Sequence, residues 1–253
     1  MDIPASHESE QLSFDHLVGP AKGIKRILYK VFPRYFWLSL PFELHAFGVR
    51  LKKGSVRRRF KGKKDLKVNI GAGPEAKAGW INMDLYSGKG INCVYDCRKS
   101  LPFDDNSVQC IFTEHFVEHI DYSDDVPDFL RDCHRVLMEK GVIRIIVPDG
   151  GGYLRAYCAE GWDALGKKRT MTQEHVDVGF GWKYNTKMEL INFIFRQGIQ
   201  HKFAYDYPTL EFVLRKAGFA LVKEQTFGKS MMDGLAIDFP ERASESVYAE
   251  AMK

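Results

Sequence analysis

From Leu66 onward, short runs rich in branched and aromatic residues alternate with longer runs whose apolar positions recur every three to four residues. Strands are expected near 66–70, 80–85, 91–95, 108–113 and 142–147, with two more at 219–224 and 246–251. Such alternation builds a mostly parallel sheet covered by helices on both faces, so the pattern predicts a doubly wound α/β fold of seven strands. Val126, Phe129, Leu130, Cys133, Val136 and Leu137 share one face of a helix expected to stop at Gly141. The stretch 150–207 is too long for an ordinary loop and carries its own helix signals. Thr186 and Glu189 form a capping box ahead of Met188, Ile191, Ile194 and Phe195, and Gly198 ends that run, so an inserted helical segment is expected above the strand ends. Pro208 opens a further helix carrying Leu210, Val213, Leu214 and Ala217, closed by Gly218.

Before Leu66 the pattern changes. Ile24, Ile27, Leu28, Val31 and Phe32 fall at helical spacing with Lys22, Lys25, Arg26 and Lys30 between them, ending near Pro33. An aromatic run from Phe36 to Phe47 follows, and Arg57, Arg58, Arg59, Lys61, Lys63 and Lys64 close the segment. Residues 1–64 hold 14 Lys or Arg against 5 Asp or Glu, whereas the rest of the chain holds 23 against 28. Two readings fit this N-terminal basic helical arm: a surface at residues 22–64 for an anionic membrane, or a helical arm packed on the core with its charges solvated. No DNA- or RNA-reading motif is present, so no specific nucleic acid partner is expected. The division is therefore 1–64 for the arm and 65–253 for one catalytic domain.

Five cysteines, an odd number set mostly in apolar stretches, point to reduced thiols and a cytoplasmic protein. No apolar stretch reaches the roughly 18 residues that cross a bilayer, and the acidic start lacks a signal-peptide pattern. Any membrane contact is expected to be peripheral, at the inner face.

The candidate chemistry begins where the first strand ends. Gly71 and Gly73 allow backbone amides to close on a ligand, and Asp84 ends the second strand with a carboxylate that can grip a ribose. Asp96 ends the third strand, and Glu114 and His115 follow the fourth. In a doubly wound sheet these groups converge on one rim beyond the strand ends. A nicotinamide site is disfavoured, because Ala76 stands where the third glycine belongs and only 13 positions separate Gly71 from Asp84. The turn between them has room for only a very short helix.

These residues, with Val68 to Gly73, the run Asp96 to Val108, His115 to His119 and Phe129 to Pro148, resemble the class I S-adenosylmethionine-dependent methyltransferases, in particular their type 11 group. The resemblance implies a Rossmann-like methyltransferase fold and S-adenosylmethionine as cofactor. By it, Gly71 and Gly73 line the methionine part, Asn69 and Ala72 belong to the same cofactor site, Asp84 holds the ribose hydroxyls, Asp96 and Cys97 flank the adenine, and Glu114 and His115 border the sulfonium. A small-molecule or carbohydrate acceptor is implied, in enzymes that include those of cell-surface polysaccharide assembly. His175, Trp182, Tyr184 and Tyr205 are the expected acceptor contacts, and His115 and His201 the candidate bases. His115, Glu118 and His119 also spell a zinc-protease pattern, but the methyltransferase likeness explains that context and no metal is expected. The rival reading is a non-catalytic docking module of the same fold.

Overall fold

The computed structural model describes residues 29–169, 184, 186–197 and 199–253. Its centre is a seven-stranded sheet of β1 (Leu66–Ile70), β2 (Ile81–Asp84), β3 (Cys93–Val94), β4 (Val108–Glu114), β5 (Leu137–Pro148), β6 (Leu221–Gln225) and β7 (Ser246–Met252), in the order β3-β2-β1-β4-β5-β7-β6. The first five run parallel, with Val68 opposite both Ile81 and Ile111, and β7 is antiparallel to its neighbours β5 and β6. Central strands covered on both faces have no polar side to show, and β5 is accordingly buried without a break from Gly141 to Val147. The chain order reverses between β1 and β4, which places a ligand crevice at their carboxyl ends.

On one face lies α3 (Asp125–Val136), burying Val126, Phe129, Leu130, Cys133 and Val136. It ends before the expected Gly141. The amides of Asn106 and Ser107 donate to the carbonyls of Arg135 and Val136, and Leu137 already pairs with Val108 in the sheet. An apolar stripe looks the same on a helix and on the strand that continues it, so Leu137 could not mark the boundary. Helices α4 (Gly150–Cys158), α5 (Asp163–Lys168) and α6 (Lys187–Arg196) build a satellite core around Tyr153, Leu165, Leu190 and Ile191, and the capping box of Thr186 and Glu189 is formed. Asp206 caps α7 (Tyr207–Lys216) through the Thr209 amide.

Ahead of β1 come α1 (Arg34–Leu51) and α2 (Lys53–Phe60). The expected basic helix falls, up to residue 28, outside the described residues. Phe60 is buried in the main core with its ring 5.1 Å from that of Phe103, a burial worth roughly 1.5–3 kcal/mol. The Gly62 amide donates to Asp104 at 2.7 Å and Lys64 donates to the Asn106 carbonyl at 2.9 Å. The basic segment is thus fastened to the sheet, while Val31, Phe32, Tyr35, Phe36, Leu44 and Phe47 remain exposed.

Candidate active site

A cavity of about 550 Å³ opens where β1, β2 and β4 end. Gly71 has φ +69°, and a Cβ there would stand 2.6 Å from Cβ of Phe116. Gly73, at φ +47°, faces open space within 4 Å of where its Cβ would be. Its amide donates to one oxygen of Asp84 and the Tyr86 amide donates to the other, both at 3.0 Å. A carboxylate offers about four lone-pair sites, so this one is fixed at the rim with acceptor capacity to spare. The turn from Gly71 to Trp80 contains no helix. Asn69 and Asn82 hold it instead: Nδ2 of Asn69 donates to Asn82 Oδ1 at 3.0 Å, the Lys77 amide donates to the same oxygen at 2.8 Å, and Nδ2 of Asn82 returns a bond to the Lys77 carbonyl at 2.8 Å.

At the β3 end, Asp96 is enclosed. Nε and Nη2 of Arg98 grip its two oxygens at 2.9 Å each, and Arg50 of α1 adds a bond at 2.8 Å. Glu43 of α1 takes the remaining Arg98 nitrogen at 2.5 Å. Burial by itself would raise the Asp96 carboxyl, but the hydrogen bonds and charge of Arg98, with Arg50, outweigh it and hold the group below its usual value. The Arg98 hydrogen bond, foremost, likewise lowers Glu43. His45 stacks on Tyr86 at 4.5 Å and bonds the Leu85 carbonyl at 3.1 Å. Helix α1 therefore forms one wall of the cavity through Tyr35, Ser39, Phe42 and Glu43. Cys97 lines it too, its thiol pushed far up by burial.

Past β4, Glu114 is buried. Its Oε1 accepts from the Phe239 amide at 3.3 Å, Oε2 has no hydrogen-bond partner among the described residues, and burial raises the carboxyl. His115, at φ +53°, places Nε2 2.9 Å from Ser246 Oγ and Nδ1 3.5 Å from Glu118. Burial drives its pKa well below the usual imidazole value, so the ring is neutral. The 3₁₀ turn Val117–His119 follows. Burial pushes Glu118 up to about 8 and His119 down to about 4.

Of the residues expected from sequence, Asn69, Gly71, Ala72, Gly73, Asp84, Asp96, Cys97, Glu114 and His115 all line this cavity. His201 does not; it borders a small adjoining cavity, its Nδ1 bonded to the Ile194 carbonyl at 2.7 Å. Tyr184 and Tyr205, expected as acceptor contacts, are placed elsewhere: Tyr184 packs in the satellite core beside Phe193, and Tyr205 is buried in the main core against Phe203. His175 and Trp182 lie outside the described residues. Sequence reasoning missed the α1 wall, Arg98 and Arg242. Only the mixture of charge and aromatics in the arm hinted at the first.

Residues 83–145 match the family model described as a methyltransferase domain, a segment running from β2 into β5 and containing Asp84, Asp96, Glu114 and His115. Among solved structures, an S-adenosylmethionine-dependent methyltransferase of Archaeoglobus fulgidus is 18% identical, with 84% of this chain and 99% of that one covered and a TM-score of 0.44. The 1,6-didemethyltoxoflavin-N1-methyltransferase of Burkholderia thailandensis is 13% identical over 100% of this chain and 92% of that one, at a TM-score of 0.42. No curated protein matches the chain. The matched segment carries the acids of the rim on consecutive strand ends of the sheet described above, and over residues 83–145 the chain is similar to the methyltransferase domain of the type 11 group.

Proposed function

We propose that the cavity binds S-adenosylmethionine and that the methyl group passes to an oxygen of a small polar acceptor, a carbohydrate hydroxyl being the chemistry its lining suits best. The observation that carries this reading is the glycine turn locked to Asp84. Two amides orient the carboxylate, which keeps capacity for a vicinal diol, while side-chain-free Gly73 leaves space beside it. The volume lies within the usual range for a cofactor site, and the unpartnered Oε2 of Glu114 is an acceptor suited to a cationic group. Gln200, Lys202 and Arg242 line the same cavity and offer hydrogen bonds to a polar acceptor.

When bound, S-adenosylmethionine supplies a methyl carbon on cationic sulfur; transfer leaves the electron pair on sulfur while the acceptor oxygen gains the carbon and its proton passes to solvent water. The chain's task is placement in a water-poor pocket. His115 suits that role better than proton removal, because Nε2 is bonded to Ser246, Nδ1 faces Glu118 at 3.5 Å and burial keeps it a poor base.

Calorimetry with S-adenosylhomocysteine tests the reading. A hydrogen bond to a charged acceptor is worth about 1.5–3 kcal/mol, so Asp84→Ala is expected to weaken binding roughly 10- to 150-fold. Absence of heat from the unaltered protein, with either the cofactor or its demethylated product, would favour a non-catalytic docking module instead. A second element concerns place: the exposed aromatics of α1 lie in the same segment as Arg57, Arg58 and Arg59, which supports peripheral contact with anionic lipid.

A further inference from the structure

Behind the rim, one carboxylate and two imidazoles meet in space. Glu118 is 1% exposed; one of its oxygens stands 3.5 Å from His115 Nδ1, yet among the described residues neither oxygen makes a hydrogen bond. A buried carboxyl left in this condition is destabilising unless a cation or donor is supplied to it. The Lys202 amide donates to the Glu118 carbonyl at 2.7 Å and draws the following loop against the 117–119 turn, so that the rings of His119 and His201 meet edge to face at 4.7 Å.

Both imidazoles are oriented in the same way. Nδ1 of His119 lies 3.3 Å from the Gln200 carbonyl and Nδ1 of His201 lies 2.7 Å from the Ile194 carbonyl. A carbonyl only accepts, so each Nδ1 carries the proton and each Nε2 keeps a free lone pair. Metal-binding histidines are held by this same outer bond, from the far nitrogen to a carbonyl. One ligand atom from each of Glu118, His119 and His201 lies within 4.8 Å of the others. Bonds of about 2.0–2.2 Å to a shared ion would bring tetrahedral ligands to about 3.3–3.6 Å, a contraction that side-chain rotation can supply.

We propose that Glu118, His119 and His201 form a binding site for one divalent first-row transition ion. Two neutral imidazoles and a carboxylate suit zinc, manganese or iron(II) and leave coordination positions open. His119 lines the large cavity, whereas Glu118 and His201 border the small one, so the cluster stands between the two. Resting on the methyl-transfer reading, its use follows: an ion held here would lower the pKa of a bound acceptor hydroxyl so that its proton passes to solvent water, the task for which His115 is poorly placed. The site thereby selects acceptors with a hydroxyl or another hard oxygen donor. This departs from the metal-free chemistry expected from sequence.

The test uses the untagged full chain, stripped with chelator and titrated with Co²⁺ while its visible absorption is followed. One ion per chain is expected, with bands that report nitrogen and oxygen ligands. Glu118→Gln and His201→Ala should each weaken Co²⁺ by more than the roughly 10- to 100-fold typical of losing an outer-shell partner. S-adenosylhomocysteine should still bind both variants. No Co²⁺ uptake by the unaltered chain, or uptake undiminished in Glu118→Gln, overturns the inference; that variant preserves side-chain shape and decides the matter if His201→Ala fails to fold. Co²⁺ binding by a chain that ignores S-adenosylhomocysteine would support the ion site and refute the methyl-transfer reading.

Discussion

Replacing Arg144 by methionine removes the one cation from a sealed cluster on the far side of β5. Arg144 is fully buried, and its Nε and Nη2 grip Asp238 at 2.6 Å each while Nη1 donates to Glu250 at 2.9 Å. The same guanidinium donates to the carbonyls of Lys229 and Thr226 at 2.8 and 3.1 Å. Burial alone would lower its pKa, but Asp238 and Glu250 raise it, so the charge is secure. Methionine leaves both carboxylates buried with only neutral donors, the Gly228 amide on Asp238 and the Met231 amide and Gln225 on Glu250. Stranding buried charge costs about 3–5 kcal/mol, a large part of a total stability on the order of 5–15 kcal/mol. Urea unfolding at pH 7 should show that loss. Adding Asp238→Asn and Glu250→Gln to Arg144→Met should restore at least about half of it, because a neutralised cluster no longer holds stranded charge. A loss under about 1 kcal/mol for Arg144→Met, or no recovery in the triple variant, would refute the reasoning.

Gly71→Ala should lower stability by more than about 1 kcal/mol and abolish S-adenosylhomocysteine binding by calorimetry, since its Cβ would overlap Phe116 at a positive φ. The folded-state carboxyl of Asp96 is depressed, so the hold of Arg50 and Arg98 is fully present above its unfolded pKa and lost as pH falls through the lower folded value. The protection of α1 amides, taken relative to intrinsic exchange at each pH, should therefore be unchanged between pH 7 and 5 and fall only below the ordinary aspartate range; a fall already at pH 5 would contradict the ion-pair account. For lipid contact, liposomes containing anionic lipid should retain the full chain and release a Phe32→Ser, Phe36→Ser variant, whereas equal retention of both would remove the membrane element.

The strands were legible because a period of two and short branched runs depend on neighbours alone. Asp84, Asp96 and Glu114 could be gathered on one rim from topology, without knowing any contact. The α1 wall could not. Arg50 finds Asp96 46 positions on, and Glu43 finds Arg98 55 positions on, with nothing local to announce either pair. The meeting of His119 with Gln200, 81 positions apart, was equally invisible. That Tyr184 and Tyr205 sit in hydrophobic cores rather than on the large cavity could not be read ahead, because an aromatic that fills a core and one that faces a ligand look alike in sequence.

The late arrival of α1's partners has a consequence during translation. The helix emerges first, yet the acid and arginine that seat it are added 46 to 55 residues afterwards. At about 5–20 residues per second, the nascent helix waits roughly 2–11 s on the ribosome without the partners of Arg50 and Glu43. For that interval the helix is unanchored, and chaperones or lipid can reach all of its faces before the sheet that seats it is complete.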